Sequence, residues 1–413
     1  MPPALAAPRY ARAVMIAVIA FTATMMFPVE SGAVERIGGI VIEEGAALAA
    51  ATPGVAMPAG VLRTGDGRTL WDREADAERA MASTTKIMTA LVVLDAADPL
   101  DVVTVSSRAA SVGESEAGLV AGKSYTIQRL LEAMLVHSGN DAATALAEHI
   151  GGDVDGFVAL MNAKAAELGL THTAYTNPHG LDEPGHYTSA ADLATLSTIA
   201  MADPRFASIV GMEQVEVTNG SRTTTFDTSN KLIGSYEGAT GVKTGWTDDA
   251  GYCLVASAQR GAISFVAVIL GTSSEDDRFD QAEELLDWGF AHYVETQVAS
   301  AETTAAMVPV TDWLDRTVTA MIAADAIVPV FDLDGEVVSR VDMLPEVDAP
   351  VTEGQRLGTL TVVQGERLLA QVPVVAASDV PAPDAWEAVG IWFTRLWRTV
   401  FGGELQAPAV PVM

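Results

Sequence analysis

The stretch "IMTALVVL", residues 87–94, is apolar on every side. A helix of that kind has no face to give to water, so other elements must enclose it all round. From Ser83 to about Asp95 the sequence therefore predicts a helix at the centre of a domain. The chain has 413 residues, 49% of them hydrophobic, which is length enough for two or three domains and a sizeable core.

At the start of this apolar segment stand a serine and a lysine, Ser83 and Lys86. Lysine is scarce: only Lys86, Lys123, Lys164, Lys231 and Lys243 occur, and arginine outnumbers lysine nearly four to one. Arginine keeps its proton in a protein, whereas a lysine that is desolvated or beside another cation loses its proton more readily. A neutral amine accepts a proton from a neighbouring hydroxyl. Ser83 and Lys86, at i and i+3 on one helical face, thus read as a nucleophile with its base. A helix-capping serine followed by a surface lysine fits the pair equally well when it is taken alone. At a helix N-terminus, unpaired N–H groups and the positive dipole end favour a developing oxyanion.

The totals exclude some functions. A net charge of −30 and a pI of about 4.3 repel polyanions, so nucleic acid is not an expected partner. The single cysteine, Cys253, excludes an internal disulfide framework and a thiolate metal cluster. Lying in an apolar strand, it reads as a buried structural thiol. At the N-terminus, Arg9 and Arg12 precede "AVMIAVIAFTATMMF" (13–27), and the small residues Ser31 and Ala33 suit cleavage after Ala33. Residues 1–33 are expected to be a signal peptide of an exported protein. An uncleaved anchor is the alternative, although the run is short for a membrane span.

Residues 34–58 read as a loose lead-in rich in Ala, Gly and Pro. "AGVLRTGDGRTLWDR" (59–73) predicts two short strands about a Gly-rich turn. Helical patterns follow at 126–136, 140–150 and 154–169, and at 189–201, which opens on a capping box of Ser189 and Asp192. From about residue 240 the pattern turns to strands: 251–259 and 262–270 predict a hairpin, and 281–294 returns to helix. The expected fold is α/β, an antiparallel sheet flanked by helices with a helical subdomain inserted between its strands, over 59–297. Residues 298–377 alternate apolar and polar positions between turn signals and predict a small all-β domain. A Pro-rich linker (378–385), a helix (386–401) and a disordered tail (402–413) complete the chain.

Two further triplets carry chemistry. "SGN" (Ser138, Gly139, Asn140) fills the break between two helices, and "KTG" (Lys243, Thr244, Gly245) opens the strand region. With Ser83-x-x-Lys86, the three patterns arise together by chance in roughly one in 400 chains of this composition. On these residues the chain resembles the serine D-alanyl-D-alanine carboxypeptidases, low-molecular-mass penicillin-binding proteins with the β-lactamase/transpeptidase-like fold. The blocks "ASTTKIMTA", "SGNDAA", "NPHGLD", "GVKTGWTDDAGYCLVASA" and "WGF" extend that resemblance over about residues 55–375.

The chemistry assigns roles to these residues. Ser83 attacks a peptide carbonyl to form an acyl-enzyme, with Lys86 as base. A free lysine near pKa 10.4 costs about 4–5 kcal/mol to deprotonate at neutral pH, and burial beside Lys243 lowers that cost. Ser138 and Asn140 are expected to relay the proton and hold the substrate amide. Thr244 and Gly245 are expected on an edge strand where a peptide adds as an extra strand. The N–H groups of Ser83 and Trp246 form the expected oxyanion hole. By the resemblance, Arg278 holds the substrate carboxylate together with Thr244, and Trp246 stands where relatives often carry His or Tyr.

The resemblance implies removal of the terminal D-alanine from peptidoglycan stem peptides, with β-lactam antibiotics as covalent inhibitors. A D,D-endopeptidase is the nearest alternative, and a catalytically silent wall-binding protein is the non-enzyme rival. A class A β-lactamase requires a deacylating glutamate in an E-x-x-x-N loop. Residues 160–190 lack one, since Glu167 is followed by Thr171 and Glu183 by Tyr187. No cofactor or metal is expected: His172, His179 and His186 lie seven apart in a loop-like stretch without metal-ligand spacing. Residues 386–401 gather Trp386, Trp392 and Trp397 with Val389, Phe393, Leu396 and Val400 on an apolar face, beside Glu387, Arg395 and Arg398. That pattern suits a helix lying in a membrane interface. The expected location is periplasmic, attached peripherally to the outer face of the cytoplasmic membrane.

Overall fold

The computed structural model describes residues 37–40 and 51–412, so the signal-peptide segment lies outside the described residues. The first domain is built on a five-stranded antiparallel sheet. Strands β2 (Ala59–Thr64) and β3 (Thr69–Arg73) form its first hairpin; β1 (Ile37–Ile40) belongs to the second domain. Helices α1 (Lys86–Ala96), α2 (Ile127–Val136), α3 (Asn140–Gly151), α4 (Val154–Glu167), α5 (Ala190–Met201) and α6 (Pro204–Val210) follow. Between them lie two small ribbons: β4 (Val102–Thr104) with β5 (Ser124–Thr126), and β6 (Gln214–Asn219) with β7 (Arg222–Asp227). Then β8 (Ala239–Thr247), β9 (Gly251–Arg260) and β10 (Ile263–Thr272) complete the sheet in the order β3-β2-β10-β9-β8, and α7 (Glu275–His292) backs it. The helical subdomain is thus an insertion between β3 and β8.

Helix α1 is enclosed as its sequence demands. It packs against α2, α3, α4 and α5, and every residue from Lys86 to Leu94 is buried. The central strand β10 explains its own unbroken apolar run. Val266, Val268 and Leu270 enter the core shared with the helical subdomain, while Phe265, Ala267 and Ile269 enter the core beneath α7. A strand buried on both faces needs no polar alternation.

Local sequence rules fail in four places. The helix after Ser83 begins only at Lys86; Ala82–Thr85 form a 3₁₀ turn. The capping box at α5 is half made: Ser189 caps Asp192 N–H, but the Asp192 carboxylate accepts from His172 N at 2.8 Å and Thr173 Oγ1 at 2.7 Å instead. The ribbons β4–β5 and β6–β7 stand where no strand was read from the sequence. In the lead-in, Val55 and Met57 are buried beside α7, with Gln281 Oε1 accepting from Ala56 N at 2.7 Å and also from Met57 N.

The second domain is all-β and begins at once where α7 ends, five residues before the boundary read from the sequence. Strand β11 (Tyr293–Ala299) is followed by β12 (Thr304–Pro309), β13 (Thr317–Ile322), β14 (Ala326–Phe331), β15 (Val337–Met343), β16 (Arg356–Gln364) and β17 (Arg367–Ala376). Its main sheet runs β1-β15-β16-β17-β13-β12-β18, with β18 (Val410–Pro411) paired to β12. The tail expected to be disordered therefore contributes a short edge strand. The domains meet through His292 Nδ1 and Asp332 (2.8 Å), an Arg68–Asp334 ion pair, and Trp288 stacked edge-on to Phe331 at 5.7 Å.

Helix α8 (Ala385–Phe401) opens on a capping box between Asp384 and Glu387. One side rests on the β domain through Ile391, an Arg395 hydrogen bond to Thr311 O and an Arg398–Asp315 ion pair at 3.6 Å. Its other side leaves Trp386, Trp392, Phe393, Trp397 and Phe401 exposed. Among the described residues, no helix is long and apolar enough to cross a membrane.

Candidate active site

The 3₁₀ turn brings Ser83 and Lys86 together, because residues three apart eclipse in that geometry. Lys86 Nζ lies 2.8 Å from Ser83 Oγ, 2.7 Å from Asn140 Oδ1 and 2.7 Å from His179 O. Its side chain is 0% exposed. Burial first, and then the nearby charge of Lys243, pushes its pKa well below the usual lysine value; the buried Asp141 carboxylate opposes them.

The break between α2 and α3 supplies Asn140. Ser138 adopts a left-handed backbone conformation (φ +74°), which turns the chain sharply between the helices. Gly139 is fixed by space: a Cβ there would stand 2.8 Å from Asp141 Oδ1 and 3.2 Å from the Ala117 Cβ. Asn140 Nδ2 donates to Gly113 O at 3.1 Å, which orients Oδ1 toward Lys86. Asp141 accepts from Ala117 N, Leu119 N and Ala142 N, each at 2.9 Å, and ties down the loop before α2. Its place in "SGNDAA" was the only signal for that anchor.

Strand β8 is an edge strand, as read from the sequence, and its Lys243, Thr244 and Gly245 pass beside the 3₁₀ turn. A Cβ on Gly245 would stand 3.0 Å from Ser83 N, 3.0 Å from Ala82 Cβ and 3.1 Å from Met81 O, so any larger residue would press on the turn that carries Ser83. Lys243 is buried and donates to Thr244 O at 3.0 Å. Burial, then the Arg278 guanidinium, lowers its pKa from 10.5 to about 7. Thr244 Oγ1 shares a hydrogen bond with Ser229 Oγ at 2.7 Å, a partner the sequence reading missed. Arg278 is 5% exposed: Nη1 donates to Gly245 O at 3.1 Å, Nη2 pairs with Glu275 at 3.2 Å, and Nε has no hydrogen-bond partner among the described residues. Trp246 is the exposed member of the strand, 51% accessible and 6.0 Å from the ring of Tyr252.

The "NPHGLD" loop closes the remaining side. Asn177 Oδ1 accepts from Gly180 N at 2.7 Å, shaping the turn whose His179 carbonyl reaches Lys86. Asp182 accepts from Thr247 Oγ1 at 2.7 Å and so ties this loop to the end of β8. His172 lies 3.8 Å from Glu78, and His186 meets Thr85. Cys253 is fully buried, and burial raises its thiol to about 11.

An antiparallel sheet backed by a helix, with a half-buried serine against a buried lysine beside its edge strand, defines a serine acyl-transfer hydrolase of the penicillin-binding class. A family described as D-alanyl-D-alanine carboxypeptidase matches residues 55–274, and the C-terminal domain of penicillin-binding protein 5 matches residues 293–382. The D-alanyl-D-alanine carboxypeptidase DacF of Bacillus subtilis is 35% identical over 324 residues, 76% of this chain and 83% of the relative. DacC of Escherichia coli, also a D-alanyl-D-alanine carboxypeptidase, is 33% identical over 350 residues, 81% of this chain and 84% of the relative. The crystal structure of penicillin binding protein 5 from Haemophilus influenzae superposes with a TM-score of 0.60 at 28% identity, covering 81% of this chain and all of that one. The chain belongs to the D-alanyl-D-alanine carboxypeptidase family and is a serine-type D-Ala-D-Ala carboxypeptidase.

Proposed function

We propose that Ser83 is the acylated residue, that Lys86 is its base, and that the substrates are the pentapeptide stems of peptidoglycan. The observation that carries this reading is the fully buried Lys86 amine, 2.8 Å from Ser83 Oγ and held by two other oxygens. Asn140 Oδ1 and His179 O only accept hydrogen bonds. A neutral Lys86 spends two N–H groups on them and turns its lone pair to the Ser83 hydroxyl. Ser83 Oγ then attacks the carbonyl of the penultimate D-alanine as its proton moves to Lys86 Nζ. The oxyanion is met by the N–H groups of Ser83 and Trp246. The peptide C–N bond breaks, the departing D-alanine amine takes the proton through Ser138, and water later hydrolyses the ester. Lys243 and Thr244 receive the substrate carboxylate. With Nη1 and Nη2 of Arg278 engaged, Arg278 contributes charge beneath them. Treatment with penicillin followed by peptide mass spectrometry checks the assignment: the adduct is expected on the peptide containing Ser83, and one on Ser138 overturns it.

The same reading places the enzyme outside the cytoplasm, following a cleaved leader, with the exposed face of α8 seated in the membrane interface. Several aromatic side chains, at about 1.5–3 kcal/mol for each one buried, suffice to hold the protein there despite its acidity. The truncation that tests this ends after Ala382, because Val380 pairs with Val351 and Pro381 O accepts from Trp313 Nε1. The truncated protein is expected to lose co-sedimentation with anionic vesicles and to keep pentapeptide cleavage. Equal sedimentation of the two forms overturns the anchor.

A further inference from the structure

The segment 176–187 touches the 3₁₀ turn and the start of α1 at four points, and only one of them is the Lys86–His179 contact. Thr89 Oγ1 donates to Pro178 O at 2.6 Å. Gly180 lies so close that a Cβ there would stand 1.9 Å from Ala82 O. At the far end, His186 Nε2 and Thr85 Oγ1 are 2.7 Å apart, and both groups are buried.

The direction of that last bond follows from its neighbours. Thr85 Oγ1 lies 2.8 Å from Ala82 O, an acceptor only, so the single hydroxyl proton of Thr85 is committed there. The hydroxyl must therefore accept from His186 Nε2–H. On the other side of the ring, Thr176 N donates to His186 Nδ1 at 3.0 Å, which requires a lone pair on Nδ1. Both contacts select the same neutral tautomer. Burial favours it too, lowering the His186 pKa to about 4.

The relay ends on a backbone group that matters. Ala82, the residue before the nucleophile, holds a left-handed conformation (φ +49°) that is unfavourable for a non-glycine residue. Such a conformation persists only where its surroundings over-determine it, and here the Ala82 carbonyl is bound by Thr85 and walled in by Gly180.

Resting on the acyl-enzyme reading above, we propose that His186 is a positioning residue for the reaction. Through Thr85 it locks the Ala82 carbonyl and thereby aims Ser83 Oγ at Lys86 and the substrate. Removing the donor leaves the Thr85 hydroxyl free to rotate off Ala82, and the strained turn relaxes. An error of an ångström at an attacking atom is enough to cost about a hundredfold in rate.

The test is stopped-flow acylation of the full-length protein by a fluorescent penicillin. It separates the limiting acylation rate from the half-saturating concentration, with thermal unfolding of each variant as the control. His186→Leu is expected to lower the limiting rate at least about tenfold with little change in half-saturation. His186→Gln, whose Nε2 also donates, is expected to restore most of that rate. Thr85→Val is expected to fall as far as His186→Leu, and the double variant no further, because the two act through one bond. Should His186→Leu fail to fold, the near-isosteric Thr85→Val carries the same test. A His186→Leu variant acylated at the wild-type rate overturns the inference, as does a Gln variant as slow as the Leu variant. Failure to label the wild type overturns the acyl-enzyme reading itself, which separates the two outcomes.

Discussion

Helices α1 and α8 are both rich in large apolar residues, yet one has nine consecutive residues buried and the other has none. Their polar residues account for the difference. In α1 the polar atoms are few and each has a partner inside the protein: Lys86 on three oxygens, and Thr89 on Pro178 O. In α8, Arg395 and Arg398 fasten one side to the β domain and leave the aromatic side uncovered among the described residues. An apolar helix with internally satisfied polar groups becomes a core; one whose polar groups hold it by a single side presents a surface. The acyl-transfer role proposed for Lys86 rests on the first arrangement, because the same burial that encloses α1 also lowers the pKa of Lys86.

The most severe way to break α1 is to forbid its lysine the neutral state. Lys86→Arg keeps the charge, but guanidinium does not give up its proton in a protein. Acylation by penicillin is expected to fall by at least about a thousandfold, as for other variants that lose a nucleophile's base. Near-normal acylation at matched thermal stability would show that Lys86 is not the base.

Next come paired truncations in the two helices. Met88→Ala, in the fully enclosed helix, is expected to cost about 2–5 kcal/mol of unfolding free energy. Trp392→Ala, on the exposed face of α8, is expected to stay within about 0.5 kcal/mol in the absence of lipid. Urea denaturation of both variants measures the contrast, and equal costs would mean that α8 is covered in solution.

A smaller effect comes from the second buried amine. Lys243 titrates near 7 in the folded protein because of burial and then Arg278, against 10.5 ordinarily. Between those values the unfolded chain binds more protons than the folded one, so the Lys243 contribution to stability rises as pH rises through that window. Below about pH 7 the folded state must hold the charge in place. Unfolding free energies at about pH 7 and about pH 9.5 are expected to show this rise, and Lys243→Met is expected to reduce it. An unchanged slope in the variant would show that Lys243 is charged throughout.

The smallest expected effect is at Cys253. It is buried with a raised pKa, and its Sγ sits 3.6 Å from Ala250 O. Thiol alkylation of the native enzyme is expected to be negligible until denaturant is added, and rapid labelling without denaturant would show that β9 opens.

The sequence by itself determined the elements whose signals are local. The enclosed helix, the strand bearing Lys243-Thr244-Gly245 and the hairpin of β9 and β10 follow from runs of residue types that only a few environments accept. The three motifs also named Ser83, Lys86, Asn140 and Lys243 before any geometry was known. The partners of those residues were decided only by tertiary structure. The His179 contribution is a backbone carbonyl, which no side-chain pattern encodes. Asp141, Asp182, Ser229 and His186 act across 15–101 positions of sequence on groups brought near by folding. The ribbon β6–β7 is a local hairpin closed by the Gly220-Ser221 turn, a short-range signal that went unread. The half-made capping box at Ser189 and the packed lead-in residues Val55 and Met57 were missed because folding brought in distant partners. In both, a long-range contact outweighed a local preference worth about 1 kcal/mol or less.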